Sequence, residues 1–288
     1  ATDGAATASS ETAPNEIGQA SNSGGGTNSA APDSASAASA AAAASPRPQT
    51  ASGPPPSDGR IRSLIAAGLY RTAVSEVDYA RRTWGSSPQL EATAAWLYKQ
   101  LGDYRRGINA MKRAYPQYLT ADGEQLPKLA RQVIFPLDYW AQIRHQADAR
   151  GLDPYLVAAL IAQESNFAPD ARSPANAYGL MQIVPSTGRQ LARKAGIRRF
   201  TVKQLTNPAI SIQLGTLHFQ QVLRQYGGSA YYALASYNAG ESKVNRWIAE
   251  RGALPQDEFI DDIPYPETQN YVKRILGTAE DYRVLYKD

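Results

Sequence analysis

Glu164 is the residue of this chain best placed for acid–base chemistry. It follows Leu160 by four residues and Val157 by seven, so on a helix it projects from the same stripe as those apolar side chains. A carboxyl group in that position loses hydration, which disfavours its charged form and raises its pKa. A carboxylic acid so raised donates a proton near neutral pH, as general-acid cleavage of a glycosidic bond requires. The spacing by itself favours a plainer alternative, a structural glutamate paired with an arginine. Other chemistries are poorly supplied. There is no cysteine, which excludes disulfides and thiol catalysis and leaves the compartment open. The only two histidines, His145 and His218, are far apart, so no metal site is expected.

The elements that must position Glu164 are helical. Asp153-Pro154 opens its helix, Asp as cap and Pro in the first turn. The preceding segment, 139–150, reads as a helix ended by Gly151. Pro185-Ser186 begins one that Gly196 stops, and Asn207-Pro208 opens a long one to about residue 226. Shorter helices are expected over 231–234 and 243–251, and a last one over 268–286. No alternating strand pattern is convincing, so the fold is expected to be all-α. Upstream, Gly68-Leu69-Tyr70-Arg71 matches Gly102-Asp103-Tyr104-Arg105 at an offset of 34 residues, and Val77 and Ala80 align with Met111 and Ala114. That is the period of tetratricopeptide-like helical hairpins. Two copies are few for independent stability, so they are expected to pack onto the downstream domain. Chance similarity of two amphipathic helices is the alternative.

The first 58 residues are mostly Ala, Ser, Gly, Thr and Pro. Such a stretch cannot bury enough apolar surface to offset its ordering entropy. The chain thus divides into a disordered low-complexity tail or linker (1–58), a hairpin region (59–132) and a catalytic domain (133–288). The tail carries five acids against Arg47, and the remainder 29 Lys and Arg against 21 Asp and Glu. A basic folded part suits a polyanionic partner. With no run of basic residues and no nucleic-acid motif, nucleic acid is not expected. A start at Ala1 without a signal peptide predicts a mature or truncated chain, and a tail of this composition is one that spaces a domain from an anchor.

Five further segments follow Glu164-Ser165 in order. They are Ser173-Pro174, Tyr178-Gly179-Leu180-Met181-Gln182-Ile183-Val184-Pro185-Ser186-Thr187, Leu205-Thr206-Asn207-Pro208, Ala233-Leu234-Ala235-Ser236-Tyr237-Asn238-Ala239-Gly240, and Glu267-Thr268-Gln269-Asn270-Tyr271-Val272. Together they resemble the soluble lytic transglycosylase (SLT) catalytic domain, a lysozyme-like helical fold. The resemblance covers about residues 135–285, roughly half of the chain. The lead-in Phe135-Pro136-Leu137-Asp138-Tyr139-Trp140 is similar to that of the branch carrying helical hairpins before its catalytic domain.

The resemblance implies that Glu164 is the catalytic acid/base. Gly179, Met181 and Gln182, with Tyr178 beside them, would line the glycan cleft. Ser173 would sit close to the acid. Tyr237 and Asn238 would bond near the acid or hold the substrate's acetamido group, and Glu267 would be a second cleft glutamate. Each has a plainer reading: a turn glycine at Gly179, an apolar filler at Met181, a core tyrosine at Tyr237, a helix cap at Glu267. The implied reaction cleaves the glycosidic bond between N-acetylmuramic acid and N-acetylglucosamine with formation of a 1,6-anhydromuramoyl end, without metal or organic cofactor. The implied partner is the peptidoglycan strand and the implied location the periplasm or cell envelope. A membrane link is expected only through an N-terminal anchor outside this chain, and the chain is expected to be a monomer. The alternatives are a goose-type lysozyme, which uses water, and a non-catalytic peptidoglycan-binding module.

Overall fold

The computed structural model describes residues 57–252 and 254–287, so the tail expected over 1–58 lies, apart from Ser57 and Asp58, outside the described residues. Asp58 already begins a helix. Two hairpins come first: α1 (Asp58–Ala66) with α2 (Tyr70–Trp84), then α3 (Pro88–Gln100) with α4 (Tyr104–Ala114). The 34-residue offset is visible in their geometry. Gly68 and Gly102 occupy equivalent turns at φ 70° and 74°, conformations that glycine adopts without steric cost. Tyr70 and Tyr104 each begin the second helix. Val77 and Met111, and Ala80 and Ala114, are buried pairwise. Glu91 of α3 stitches the hairpins together, accepting from Arg81 of α2 at 2.5 Å and from Arg113 of α4 at 3.1 Å. A short α5 (Lys128–Ile134), which the periodicity did not reveal, leads to the rest of the chain.

The downstream unit comprises α6 (Trp140–Asp148), α7 (Pro154–Ser165), α8 (Pro185–Lys194), α9 (Pro208–Gln225), α10 (Ala230–Ala239), α11 (Glu241–Arg251), α12 (Gln256–Asp261) and α13 (Pro266–Tyr286). No strand occurs among the described residues, only isolated bridges at Arg172–Tyr178 and Tyr178–Ile183. The expected caps are present: Asp153 accepts from the Tyr155 N–H at 2.9 Å and Asn207 from the Ile210 N–H at 3.2 Å. The short helices expected over 231–234 and 243–251 are longer, and the six-residue α12 has too little period to be read from sequence. α7 lies against α13, and α10 packs on α9, α11 and α13. The core runs without a break from the hairpins into these helices. At the junction Tyr282 and Tyr286 of α13 donate to the carbonyls of Pro136 (2.9 Å) and Phe135 (2.7 Å). No described helix is long and apolar enough to cross a membrane.

Candidate active site

The stripe expected on α7 is absent, because the helix is buried on every side: all six residues from Leu156 to Ile161 are core. Glu164 stands in the last turn, where the helix emerges at the surface of this core, and is half-buried. The helix stops there because Asn166 turns into the left-handed region at φ 49° and Phe167 follows at φ 58°. Asparagine tolerates that region, while for phenylalanine it is strained. Complete burial of the Phe167 ring holds it there.

Burial raises the Glu164 pKa to about 7, against a hydrogen bond from the Tyr271 hydroxyl that lowers it. The Tyr271 oxygen lies 2.5 Å from Oε1. Tyr271 and Tyr237 have pKa values raised well above that of free tyrosine, by burial first and then by the Glu164 charge. Both phenols therefore keep their protons and act as donors. Tyr271 lies one turn after Glu267 on α13, within a segment the sequence singled out, yet sequence reasoning did not nominate it. The i, i+4 spacing from Glu267 was the available signal.

The loop 171–183 is fixed on three sides. Ser165 donates to the carbonyls of Ile161 (3.1 Å) and Leu180 (3.0 Å), tying the end of α7 to it. The Met181 N–H donates to Ser211 of α9 at 3.3 Å. The Tyr237 hydroxyl of α10 donates to the Met181 carbonyl at 2.8 Å. The phenol of Tyr237 is thus committed to backbone rather than to the acid, although it stands close enough to feel the charge of Glu164. This corrects the expectation that its hydroxyl serves the acid or an acetamido group. Its ring also packs against neutral His218, centroids 5.1 Å apart; burial and the Lys194 charge push that imidazole's pKa down to about 4.

Three loop residues are likewise corrected in role. Met181 is 0% exposed and its side chain fills the space over Gly215 of α9, so it packs the core and offers no side-chain contact to a sugar. Gln182 is buried and its amide donates to the carbonyls of Gly179 (2.8 Å) and Ala171 (3.3 Å), bracing the loop. Gly179, at φ 77°, does permit a close approach, but to the Leu205 carbonyl: a Cβ there would lie 1.9 Å from that oxygen.

Ser173 accepts from the Ala177 N–H at 3.1 Å and closes the loop's turn. Among the described residues no hydrogen bond joins it to Glu164. Half-exposed Tyr178 donates to Asn176 at 2.6 Å, beneath the Arg172 guanidinium. Asn238 is the hub on the α13 side. Its carboxamide accepts from Thr268 at 2.7 Å and donates to Glu267. Glu267 is an exposed residue in the first turn of α13; crowding of its carboxyl raises its pKa, and the Asn238 bond offsets part of that.

A carboxyl group poised near neutrality at the rim of an all-α core, with one phenol donating to it, is the apparatus of a single-acid glycan-cleaving enzyme, and the fold has that company. It resembles the lytic transglycosylase Slt of Pseudomonas aeruginosa, solved as an inactive glutamate-to-glutamine mutant (TM-score 0.62, 31% identity, 78% of this chain and 34% of that one). It also resembles the 70-kDa soluble lytic transglycosylase of Escherichia coli (TM-score 0.63, 27% identity, 80% and 35%). The sequence agrees. Residues 141–260 match the transglycosylase SLT domain. The chain is 32% identical to the soluble lytic murein transglycosylase of Escherichia coli K12 over 81% of its own length and 34% of the relative's. It is 31% identical to an endo-type membrane-bound lytic murein transglycosylase A of Salmonella paratyphi B, over 47% of its own length and 78% of the relative's. The chain belongs to the SLT-domain lytic murein transglycosylase family. It spans about a third of the length of the soluble relative, 34%.

Proposed function

We propose that this chain cleaves the glycan strands of murein at the cell envelope as a lytic transglycosylase, with Glu164 alternating as general acid and general base. The observation that supports this most directly is the Glu164 carboxyl, raised to about pKa 7 by burial while Tyr271 donates to it. A group that must give and then take a proton works best with a pKa near ambient pH.

In the forward step Glu164 protonates the oxygen bridging N-acetylmuramic acid and N-acetylglucosamine, and the bond to the muramoyl C1 breaks. The sugar's own 2-acetamido oxygen stabilises the positive charge at C1. Glu164, now a carboxylate supported by Tyr271, removes the proton of the C6 hydroxyl as that oxygen attacks C1. The products are a 1,6-anhydromuramoyl end and a free N-acetylglucosamine end, and no water is consumed. An internal nucleophile held at the right distance has a high effective molarity, which removes the need for the second carboxylate of a lysozyme. Asn238 and Glu267 border the site from α13, as substrate-positioning groups in this reading.

Mass spectrometry of the soluble products released from purified peptidoglycan tests it. Fragments lighter by one water, with anhydro ends, are the expected result. Reducing ends of full mass would make the chain a lysozyme and move Glu267 into the mechanism. Binding without release of fragments would make it a carrier of an inert site.

A further inference from the structure

The flank of α13 that carries Glu267 and Tyr271 continues to a third polar residue. At about 100° per residue, Arg274 falls on that same flank, about 10 Å along the axis from Glu267. It is exposed, and its charge is felt by two groups of the hairpin region, Lys112 of α4 and Tyr118. The Lys112 ammonium lies 5.2 Å from the Tyr118 ring centre. The lysine is half-buried; burial, and then Arg274, push its pKa down. Two cations and an aromatic face thus meet where the hairpins close on α13.

Neither cation has an acid. Among the described residues no hydrogen bond or ion pair reaches Lys112 or Arg274. Their chain neighbours differ: Arg113 pairs with Glu91 at 3.1 Å and Lys273 with Asp261 at 2.7 Å. Two unneutralised like charges at a partly dehydrated junction disfavour each other. A carboxylate between them removes that repulsion and gains charge-assisted hydrogen bonds.

We propose that Lys112, Arg274 and Tyr118 form an anion site for a carboxylate of the peptide stem on the muramoyl sugar, so that the chain prefers stem-bearing strands to bare glycan. This rests on the murein reading of Glu164. The reach is adequate, because three extended peptide residues span about 10 Å, the length of flank between Glu267 and Arg274.

The test compares wild type with a Lys112→Met, Arg274→Gln double variant on two substrates: intact peptidoglycan, and strands stripped of stems, which expose the lactyl carboxylate instead. The expected result is a roughly tenfold loss of kcat/KM on the stem-bearing substrate alone, since two charge-assisted contacts exceed the 1.4 kcal/mol that a factor of ten represents. Equal losses on both substrates, or none on either, overturn the proposal. Arg274→Gln alone controls for folding: it changes an exposed side chain, and should give part of the loss with Tm unchanged. A second arm titrates the free tetrapeptide stem, carboxylates intact or amidated, into the Glu164→Gln protein. Weaker binding on amidation and in the double variant supports the site; indifference to both overturns it. If wild type digests neither strand, the murein reading fails, and this arm judges the anion site independently.

Discussion

The Tyr271 hydroxyl meets Oε1 of Glu164 at 2.5 Å across 107 residues of chain. The bond favours the carboxylate, whereas the surrounding protein favours the acid, and the balance leaves the group near pKa 7. Removing the donor leaves burial unopposed. In Tyr271→Phe the Glu164 pKa therefore rises, and the alkaline limb of the kcat/KM profile moves to higher pH. A hydrogen bond to a charged group contributes about 1.5–3 kcal/mol, so the rate falls roughly ten- to a hundredfold. A pH–rate profile checks this, and an alkaline limb that stays in place would sink it.

Glu164→Gln is expected to keep the fold and lose nearly all turnover. Its stability carries a further signature. The folded-state pKa, about 7, lies above the ordinary value of 4.5, so the folded chain binds this proton more tightly than the unfolded chain. The stabilisation is complete below about pH 4.5 and is lost as pH rises through about 7. The glutamine variant lacks that loss. It should match wild type at pH 4 and exceed it at pH 8 by on the order of 2–3 kcal/mol, given that part of the carboxyl meets water. Chemical denaturation at both pH values measures it, and a constant difference between the two proteins would refute the linkage.

Gly215 and Met181 are predicted to be coupled. A Cβ on Gly215 would stand 2.2 Å from the Met181 sulfur and 2.6 Å from its Cβ. Gly215→Ala should therefore cost about 1–3 kcal/mol, the usual range for overpacking. The space Met181→Ala opens accepts the new methyl, so the double variant should lose less than the sum of the singles. A double-mutant cycle by urea denaturation decides it, strict additivity being the contrary result.

Gly179→Ala is expected to be the most damaging small change in the loop. It combines a strained backbone at φ 77° with a clash against the immovable Leu205 carbonyl. The expected cost is roughly 3 kcal/mol or more, seen as a large fall in Tm together with lost activity. A near-native Tm would mean that the loop and the Leu205 turn move apart freely.

Much of this was legible in the sequence, for physical reasons. Proline and cap residues mark helix starts, so α7 and α9 begin where Asp153-Pro154 and Asn207-Pro208 place them. Hairpin turns need glycine, so Gly68 and Gly102 announced the 34-residue repeat. Glu164 was found, although by a stripe that does not exist: its helix is buried all round, and the acid matters because it ends that helix. Direction of contact was not legible. Met181, Gln182 and Tyr237 sit in the right loop and helix, but sequence order cannot tell whether a side chain faces a cleft or the core behind it. Tyr271 was passed over for the converse reason, since its partner is remote in the chain and only α7 lying against α13 brings them together.

α13 is a rod of 21 residues, about 30 Å long, gripped near one end by the acid and at the other by the carbonyls of Phe135 and Pro136. A helix transmits an axial push with little compression, and a hydrogen bond weakens within a few tenths of an ångström. Alignment of the proton at Glu164 is therefore set as much by the mooring at the far end of this strut as by anything in the cleft, and the hairpins that grip it act as the instrument's tuning peg.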